Sequence, residues 1–235
     1  KTTFSQYGFR ADVTPSSLEA VRHRRAGVQD EGSQLVASIF AQAAADKSSW
    51  LDLCAGPGGK AALLASIAGQ GDHRFVANEI SQIRADLVKQ VVGSHEVWVG
   101  DAREIATRGE GFDAILADVP CTGMGALRRR PEVRWRRSLS DLRELGVLQR
   151  EISDAAISIL NIGGVFGYAT CSPHLAETSI AVADILKKHP ELEQIDIQPF
   201  MPHGLEGGVR DKSMALWTQR HNTDAMFLAL FRKIS

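Results

Sequence analysis

Cysteine is scarce in this chain, with three residues among 235. So small and odd a count argues against a disulfide framework and suits a reducing compartment, so the cytoplasm is the expected location. No apolar run approaches the ~20 residues that cross a bilayer, and no charged-then-apolar leader precedes a cleavage site. Repeats and low-complexity tracts are missing, and a strict Gly-x-Gly-x-x-Gly does not occur. Lys and Arg number 27 against 28 Asp and Glu, so total charge does not mark the chain as a polyanion binder. What is present fits an ordinary globular domain: 44% hydrophobic and 23% charged residues, on a length that supports one sizeable core. The chain starts at Lys1 rather than Met, and residues 1–28 are mixed and basic. We expect a fragment whose upstream part is missing, with 1–28 its remnant and 29–235 the catalytic domain.

Apolar runs and turn residues alternate along the chain. Thr14-Pro15-Ser16-Ser17 suits the cap of a helix from Leu18, and Gln29 to Gln34 leads into an alanine-rich helix ending near Ala45. Trp50-Leu51-Asp52-Leu53 reads as a strand, closed by Ala55-Gly56-Pro57-Gly58-Gly59 and followed by a helix from Lys60. Further strands are expected over 74–79, 97–101, 112–117 and 164–168, with helices over 81–92, 140–160 and 176–188. Residues 215–217 and 225–231 read as two more strands, an antiparallel edge. Strand and helix in alternation build a doubly wound α/β sheet, whose ligands gather at the carboxyl ends of the strands.

Two of the three cysteines stand at such ends. Cys121 lies in Asp118-Val119-Pro120-Cys121-Thr122-Gly123 and Cys171 in Tyr168-Ala169-Thr170-Cys171-Ser172-Pro173, fifty positions apart. Most free cysteines are small buried hydrophobes. Delivery of two thiols to one rim, beside Asp118 and Thr170, favours chemistry, with one as nucleophile and the other assisting. The residues alone do not choose between them. Cys54, beside the glycine turn, reads as structural.

The first strand–turn–helix offers glycines that let a ligand approach the backbone and a helix amino terminus with free N–H groups. Glu79 ends the second strand 23 positions after Gly56, where an acid can accept from ribose hydroxyls, and Asp101 ends the third, where it can accept from an adenine amino group. The plainer alternative for both acids is a helix cap or a solvated side chain. Lys60 at a helix start opposes the dipole, which a nearby carboxylate such as Asp118 or a ligand carboxylate would offset; a side chain that simply reaches solvent is the equal alternative. Between 128 and 137 stand six arginines, Arg128, Arg129, Arg130, Arg134, Arg136 and Arg137, with Trp135 among them. Arginine with an interleaved aromatic suits phosphate contact and base stacking, although most charge runs are solvated surface. A second basic cluster is Arg22-His23-Arg24-Arg25.

Asp-Val-Pro-Cys at 118–121 and Thr-Cys-Ser at 170–172, with Cys-Ala-Gly-Pro-Gly-Gly-Lys at 54–60, together resemble the RNA (cytosine-5)-methyltransferases of the Fmu/Sun (RsmB-like) family. The resemblance covers nearly the whole chain, from Gln29-Asp30 to Phe231-Arg232-Lys233. It implies a Rossmann-like S-adenosylmethionine-dependent methyltransferase fold, a mostly parallel seven-stranded sheet with helices on both faces. It implies S-adenosylmethionine as cofactor, with Cys54, Ala55, Gly56, Pro57, Gly58, Gly59, Lys60, Glu79, Asp101 and Asp118 lining the site and Arg84 where some relatives touch the cofactor. It assigns the nucleophile to Cys171 and product release to Cys121, with Asp118 and Lys60 completing the catalytic set. The implied partner is RNA, ribosomal ahead of transfer RNA; the charge and aromatic pattern above makes Arg128, Arg129, Arg130, Arg134, Trp135 and Arg136 the expected contacts. A monomer is expected, with no membrane and no metal.

Carbon 5 of cytosine is a poor nucleophile, and a thiolate added at carbon 6 turns the ring into an enamine that can attack a methyl sulfonium. A free cysteine, with pKa ~8.5, is only a minority thiolate at neutral pH, so the site must help it ionise. The chain departs from the family at Thr178, where relatives often carry Asn. It also departs after Trp217, where the usual Pro-His is missing, and after Asp224, where Ala225 replaces Gly. Rival readings are an amino-group methyltransferase of the same fold, disfavoured because Asp118-Val119-Pro120-Cys121 lacks an aromatic clamp, and an RNA-binding assembly factor. A nicotinamide-dependent oxidoreductase is disfavoured by the crowded glycine turn.

Overall fold

The computed structural model describes residues 1–235, the Glu206 side chain excepted. In chain order the elements are α1 Glu19–Arg22, α2 Glu31–Ala43, β1 Ser49–Asp52, α3 Gly59–Gln70, β2 Arg74–Glu79, α4 Gln82–Lys89 and β3 Glu96–Val99. Then come β4 Phe112–Asp118, α5 Val133–Arg136, α6 Leu139–Ser158, β5 Leu160–Thr170, α7 Ser179–Lys188 and β6 Leu192–Ile195. The chain closes with β7 Val209–Arg210, β8 Ser213–Ala215, α8 Thr218–His221 and β9 Phe227–Lys233. Short 3-10 turns, among them Ala102–Arg108, join several of these.

The sheet runs β3-β2-β1-β4-β5-β9-β8-β7, with β6 also on β9. Its first five strands are parallel, and β9 enters antiparallel to β5. Eight of the nine strands fill seven main lanes, because β6 and β8 lie end to end along the outer edge of β9. Leu192 to Ile195 face Lys233 to Leu230, and Met214 and Ala215 face Leu228 and Phe227. Two-residue β7 hangs beyond β8.

Alternation along the strands feeds two cores, one on each face. Trp50, Ala114, Leu116, Val165 and Ala169 point to the side covered by α2, α3 and α4, where Phe40, Leu64 and Val88 are buried. Leu51, Ile115, Ala117, Phe166 and Tyr168 point to the side covered by α6 and α7, through Ile152, Ala156, Val182 and Ile185. Both faces are sealed, as a parallel sheet requires. The Asp30 side chain accepts from Gly32 N–H and starts α2, and a reciprocal Ser138–Asp141 capping box starts α6. The amino-terminal segment is tied to the domain, since Ser5 N–H donates to buried Glu31 at 2.9 Å. Strand order reverses between β1 and β4, so the carboxyl ends of β1, β4 and β5 open onto one crevice.

β5 begins at Leu160, earlier than its apolar pattern indicates, because a register shift against Phe112–Ala114 absorbs the polar Asn161 and two glycines. Two elements carry no readable pattern: β6 mixes Glu193 and Gln194 into four residues, and α5 is a single turn inside the arginine-rich segment.

Candidate active site

The two cysteine motifs converge. Cys171 directly follows β5, Cys121 sits three residues beyond β4, and their sulfurs are 3.3 Å apart without a disulfide. Beyond β4 the pairing continues, with Val119 N–H donating to Ala169 O at 3.0 Å. The loop then folds back so that Gly125 N–H donates to Cys171 O at 2.9 Å and Gly125 O accepts from Ala225 N–H at 2.9 Å. Only glycine fits there, since a Cβ on residue 125 would lie 2.2 Å from Ala225 O and 2.7 Å from Cys171 O.

Lys60 reaches across from the start of α3 and donates to Asp118 Oδ2 at 2.7 Å. Its side chain is 12% exposed, so the pair lies largely out of water and the lysine does not simply extend into solvent. Burial opposes the lysine charge, but Asp118, with Cys171 and Asp52 further off, carries its pKa upward overall. The thiols are split in the same field. The hydrogen bond from Cys121 and the charge of Lys60 pull Cys171 below its ordinary value, against desolvation and the charges of Asp118 and Asp224. The same sulfur–sulfur bond, then desolvation, the charge of Cys171, Glu177 and Asp118, push Cys121 well above it. The two shifts run in opposite directions, and a lowered value favours the thiolate at Cys171. Cys54 is pushed well up by burial and by Asp52, as an inert thiol should be.

At the glycine turn, Glu79 is buried and its Oε2 accepts from Gly56 N–H at 3.0 Å, while its Oε1 accepts from Ser81 N–H at 2.9 Å and lies 2.5 Å from the Arg84 guanidinium. A Cβ on residue 56 would strike Glu79 Oε2 at 2.2 Å, so the backbone and the acid meet only because Gly56 is bare. Asp101 caps the turn at Ala102–Arg108 and is gripped by Arg103 through Nε at 3.0 Å, the plainer role weighed for it. Asp52, at the end of β1, was not singled out by the sequence reading. Both of its carboxylate oxygens and Asn78 Oδ1 are buried without a partner, and desolvation with Asp118 nearby raises Asp52 from 3.8 to about 7. Orphaned buried acceptors beside a backbone cradle fit a ligand that brings hydroxyl and amino donors.

The arginine segment divides into two parts. Arg128 donates to Asp30 at 2.6 Å and Arg129 Nε to Asp224 at 2.9 Å, so these two brace the wall behind Cys171. Arg130, Arg134, Trp135 and Arg136 face solvent, with Trp135 76% exposed and the Arg134 guanidinium 5.9 Å from the Trp135 ring centroid. Sequence reading also missed buried Glu177, Gln149 and Thr122, which join the two cysteine loops. A polar triad spread over 56 positions leaves no local signature. Among the described residues no cluster suits a metal ion, and no helix is long and apolar enough to cross a membrane.

A protein of Mycobacterium tuberculosis (strain ATCC 25618 / H37Rv), named as a methyltransferase, is 49% identical over 99% of this chain and 51% of its own length. The ribosomal RNA small subunit methyltransferase B of Vibrio cholerae is 35% identical over 74% of this chain and 41% of its own. Crystalline NSun6 from Pyrococcus horikoshii superposes with a TM-score of 0.79 at 26% identity, covering 94% of this chain and 56% of that one. The chain spans about half the length of the curated relatives it matches first. The profile described as 16S rRNA methyltransferase RsmB/F matches residues 39–232. On that match, and on a sheet that brings both cysteines to its switch point, the chain belongs to the RsmB/F family of 16S rRNA methyltransferases.

Proposed function

We propose that this chain is the catalytic domain of an enzyme that methylates carbon 5 of cytosine in RNA, ribosomal RNA first. The observation that carries the reading is the 3.3 Å contact between Cys121 and Cys171, whose field includes the Lys60–Asp118 pair, itself joined at 2.7 Å. S-adenosylmethionine, when bound, supplies an electrophilic methyl group. Glu79 would hold its ribose hydroxyls, Asp101 its adenine amino group, and the 54–60 turn with unpartnered Asp52 its amino-acid end.

The chemistry divides as follows. The Cys171 thiolate adds to carbon 6 of the cytosine, forming a C–S bond, while the ring π-electrons shift towards carbon 5 and a proton reaches nitrogen 3 from the Asp118–Lys60 pair. The electron pair at carbon 5 forms the new bond to the methyl group, and the pair of the broken methyl–sulfur bond stays with the departing thioether. Loss of the carbon 5 proton to a base then restores the carbon 5–carbon 6 double bond, the C–S electron pair returns to Cys171, and the nitrogen 3 proton returns to the Asp118–Lys60 pair. Cys121, the more tightly protonated thiol, stands within reach of that sulfur and assists its departure. The exposed Arg130, Arg134, Trp135 and Arg136 supply phosphate contacts and a stacking surface for the strand. A cytosine in a duplex would have to be extruded to reach the thiols.

Transfer of labelled methyl from S-adenosylmethionine to RNA tests the reading. Cys171→Ala should bind S-adenosylmethionine normally and transfer nothing. Cys121→Ala should accumulate a denaturant-stable protein–RNA adduct. Normal turnover by Cys171→Ala would refute the assignment of the nucleophile, and no transfer by the wild type to any RNA would refute the reaction.

A further inference from the structure

Two chemically identical thiols 3.3 Å apart must be told apart by what surrounds them. On the Cys171 side the distinguishing group is Lys60. On the Cys121 side it is Glu177, which is wholly buried and has no cationic partner among the described residues. Thr122 N–H donates to Glu177 Oε1 at 2.8 Å, Gln149 Nε2 donates to the same oxygen at 3.0 Å, and the Thr122 hydroxyl donates to Oε2 at 2.5 Å. Gln149, on α6, also donates to Pro120 O at 2.9 Å, so the residues on both sides of Cys121 are held from below. Glu177 itself belongs to the Cys171 loop, and its carbonyl accepts from the Tyr168 hydroxyl of β5 at 3.1 Å. One side chain thus spans both loops.

We propose that Glu177 is the positioning residue that gives the two thiols their different roles, anchoring the Cys121 loop and setting a buried negative charge on that side of the pair. The inference rests on the covalent reading above. Three neutral donors satisfy the carboxylate without cancelling its charge, one of them the Thr122 N–H next to Cys121, so its field reaches that thiol in surroundings that screen it weakly. The Cys121 thiol is therefore the one that keeps its proton and donates it towards Cys171. The other charged groups facing the pair are Asp118, Lys60 and Asp224; Lys60 favours the Cys171 thiolate, and the two acids oppose it. A clamp that merely held the loop would work as well with a neutral amide.

The test is competitive alkylation of the ligand-free protein with iodoacetamide, in which sulfur bonds to carbon and iodide leaves, read site by site by mass spectrometry. It needs neither RNA nor methyl donor, so its result is separate from that of the methylation assay. In the wild type Cys171 should label at least about tenfold faster than Cys121, the ratio that one pKa unit of difference produces. Glu177→Gln keeps the shape and an acceptor but removes the charge, and should lower that ratio about tenfold. Its turnover should fall while KM for S-adenosylmethionine holds. Gln149→Lys gives the carboxylate a cationic partner and should lower the ratio in the same way, which decides the matter if the glutamine variant does not fold. Glu177→Asp, which keeps the charge, should retain the wild-type preference. Equal labelling in the wild type, or a ratio unchanged by both neutralising variants, would overturn the proposal.

Discussion

Replacing Gly125 with alanine should damage stability and chemistry together. The new Cβ would start 2.2 Å from Ala225 O, 2.7 Å from Cys171 O and 2.9 Å from the Cys171 carbonyl carbon, all of them backbone atoms. No flexible side chain can swing aside, so the 123–126 loop must retreat by about 1 Å to reach ordinary contact. That retreat stretches the two hydrogen bonds Gly125 makes with Cys171 and Ala225, each 2.9 Å long. Each is worth about 1 kcal/mol net, and overpacking adds about 1–3 kcal/mol, for a total of roughly 3–5 kcal/mol. In a domain of this size that lowers Tm by roughly 6–20 °C. Because the moving loop adjoins Cys121 while Cys171 directly follows β5, the sulfur pair separates, and a misplacement of about 1 Å costs on the order of a hundredfold in rate. Differential scanning calorimetry and single-turnover methyl transfer would measure the two effects. Gly27→Ala, whose Cβ would meet nothing within 4 Å, is the control and should change neither. A Gly125→Ala protein with the wild-type Tm and rate would show that the two loops are not mechanically joined as described.

Asp52→Asn should stabilise the ligand-free protein above neutral pH while weakening S-adenosylmethionine binding in a calorimetric titration. The sign follows from burial: folding raises the Asp52 pKa from 3.8 to about 7, so between those values the folded state holds a proton that the unfolded state has lost. Wild-type stability therefore falls as pH rises from about 4 to 7, by up to roughly 4 kcal/mol, and denaturant titrations should find that slope shallower in the variant. Glutamate at Arg134 and Arg136 should weaken RNA binding and flatten its dependence on salt, measured by filter binding at several salt concentrations, with Tm unchanged. Arg129→Ala should instead lower Tm. Among the described residues it leaves buried Asp224 with only Arg128, at 3.7 Å, at a cost of about 2 kcal/mol, less than a fully buried pair because the lost guanidinium is half exposed.

Much of this molecule is legible in its residues alone. Runs such as Arg74–Glu79 and Phe112–Asp118 are strands because β-favouring apolar residues stop at turn formers or acids, a local rule needing no partner. Both cysteines, the glycine turn, Glu79 and Lys60 follow from position at strand exits, and the sheet order carries those exits to one crevice. Tertiary structure alone decided what depends on long-range pairing. The division of the arginines is the clearest case, since Arg128 and Arg129 read like Arg134 and Arg136 until Asp30 and Asp224, some 95 positions away, arrive to claim them. Asp52 and Glu177 went unnoticed for the same reason, one being marked by the donors it lacks and the other by donors from two distant segments. Residue types and spacing determine which groups reach the rim. Which of them are charged, shielded or already occupied depends on distances of a few ångströms between segments remote in the chain, where Coulomb and hydrogen-bond energies change most steeply.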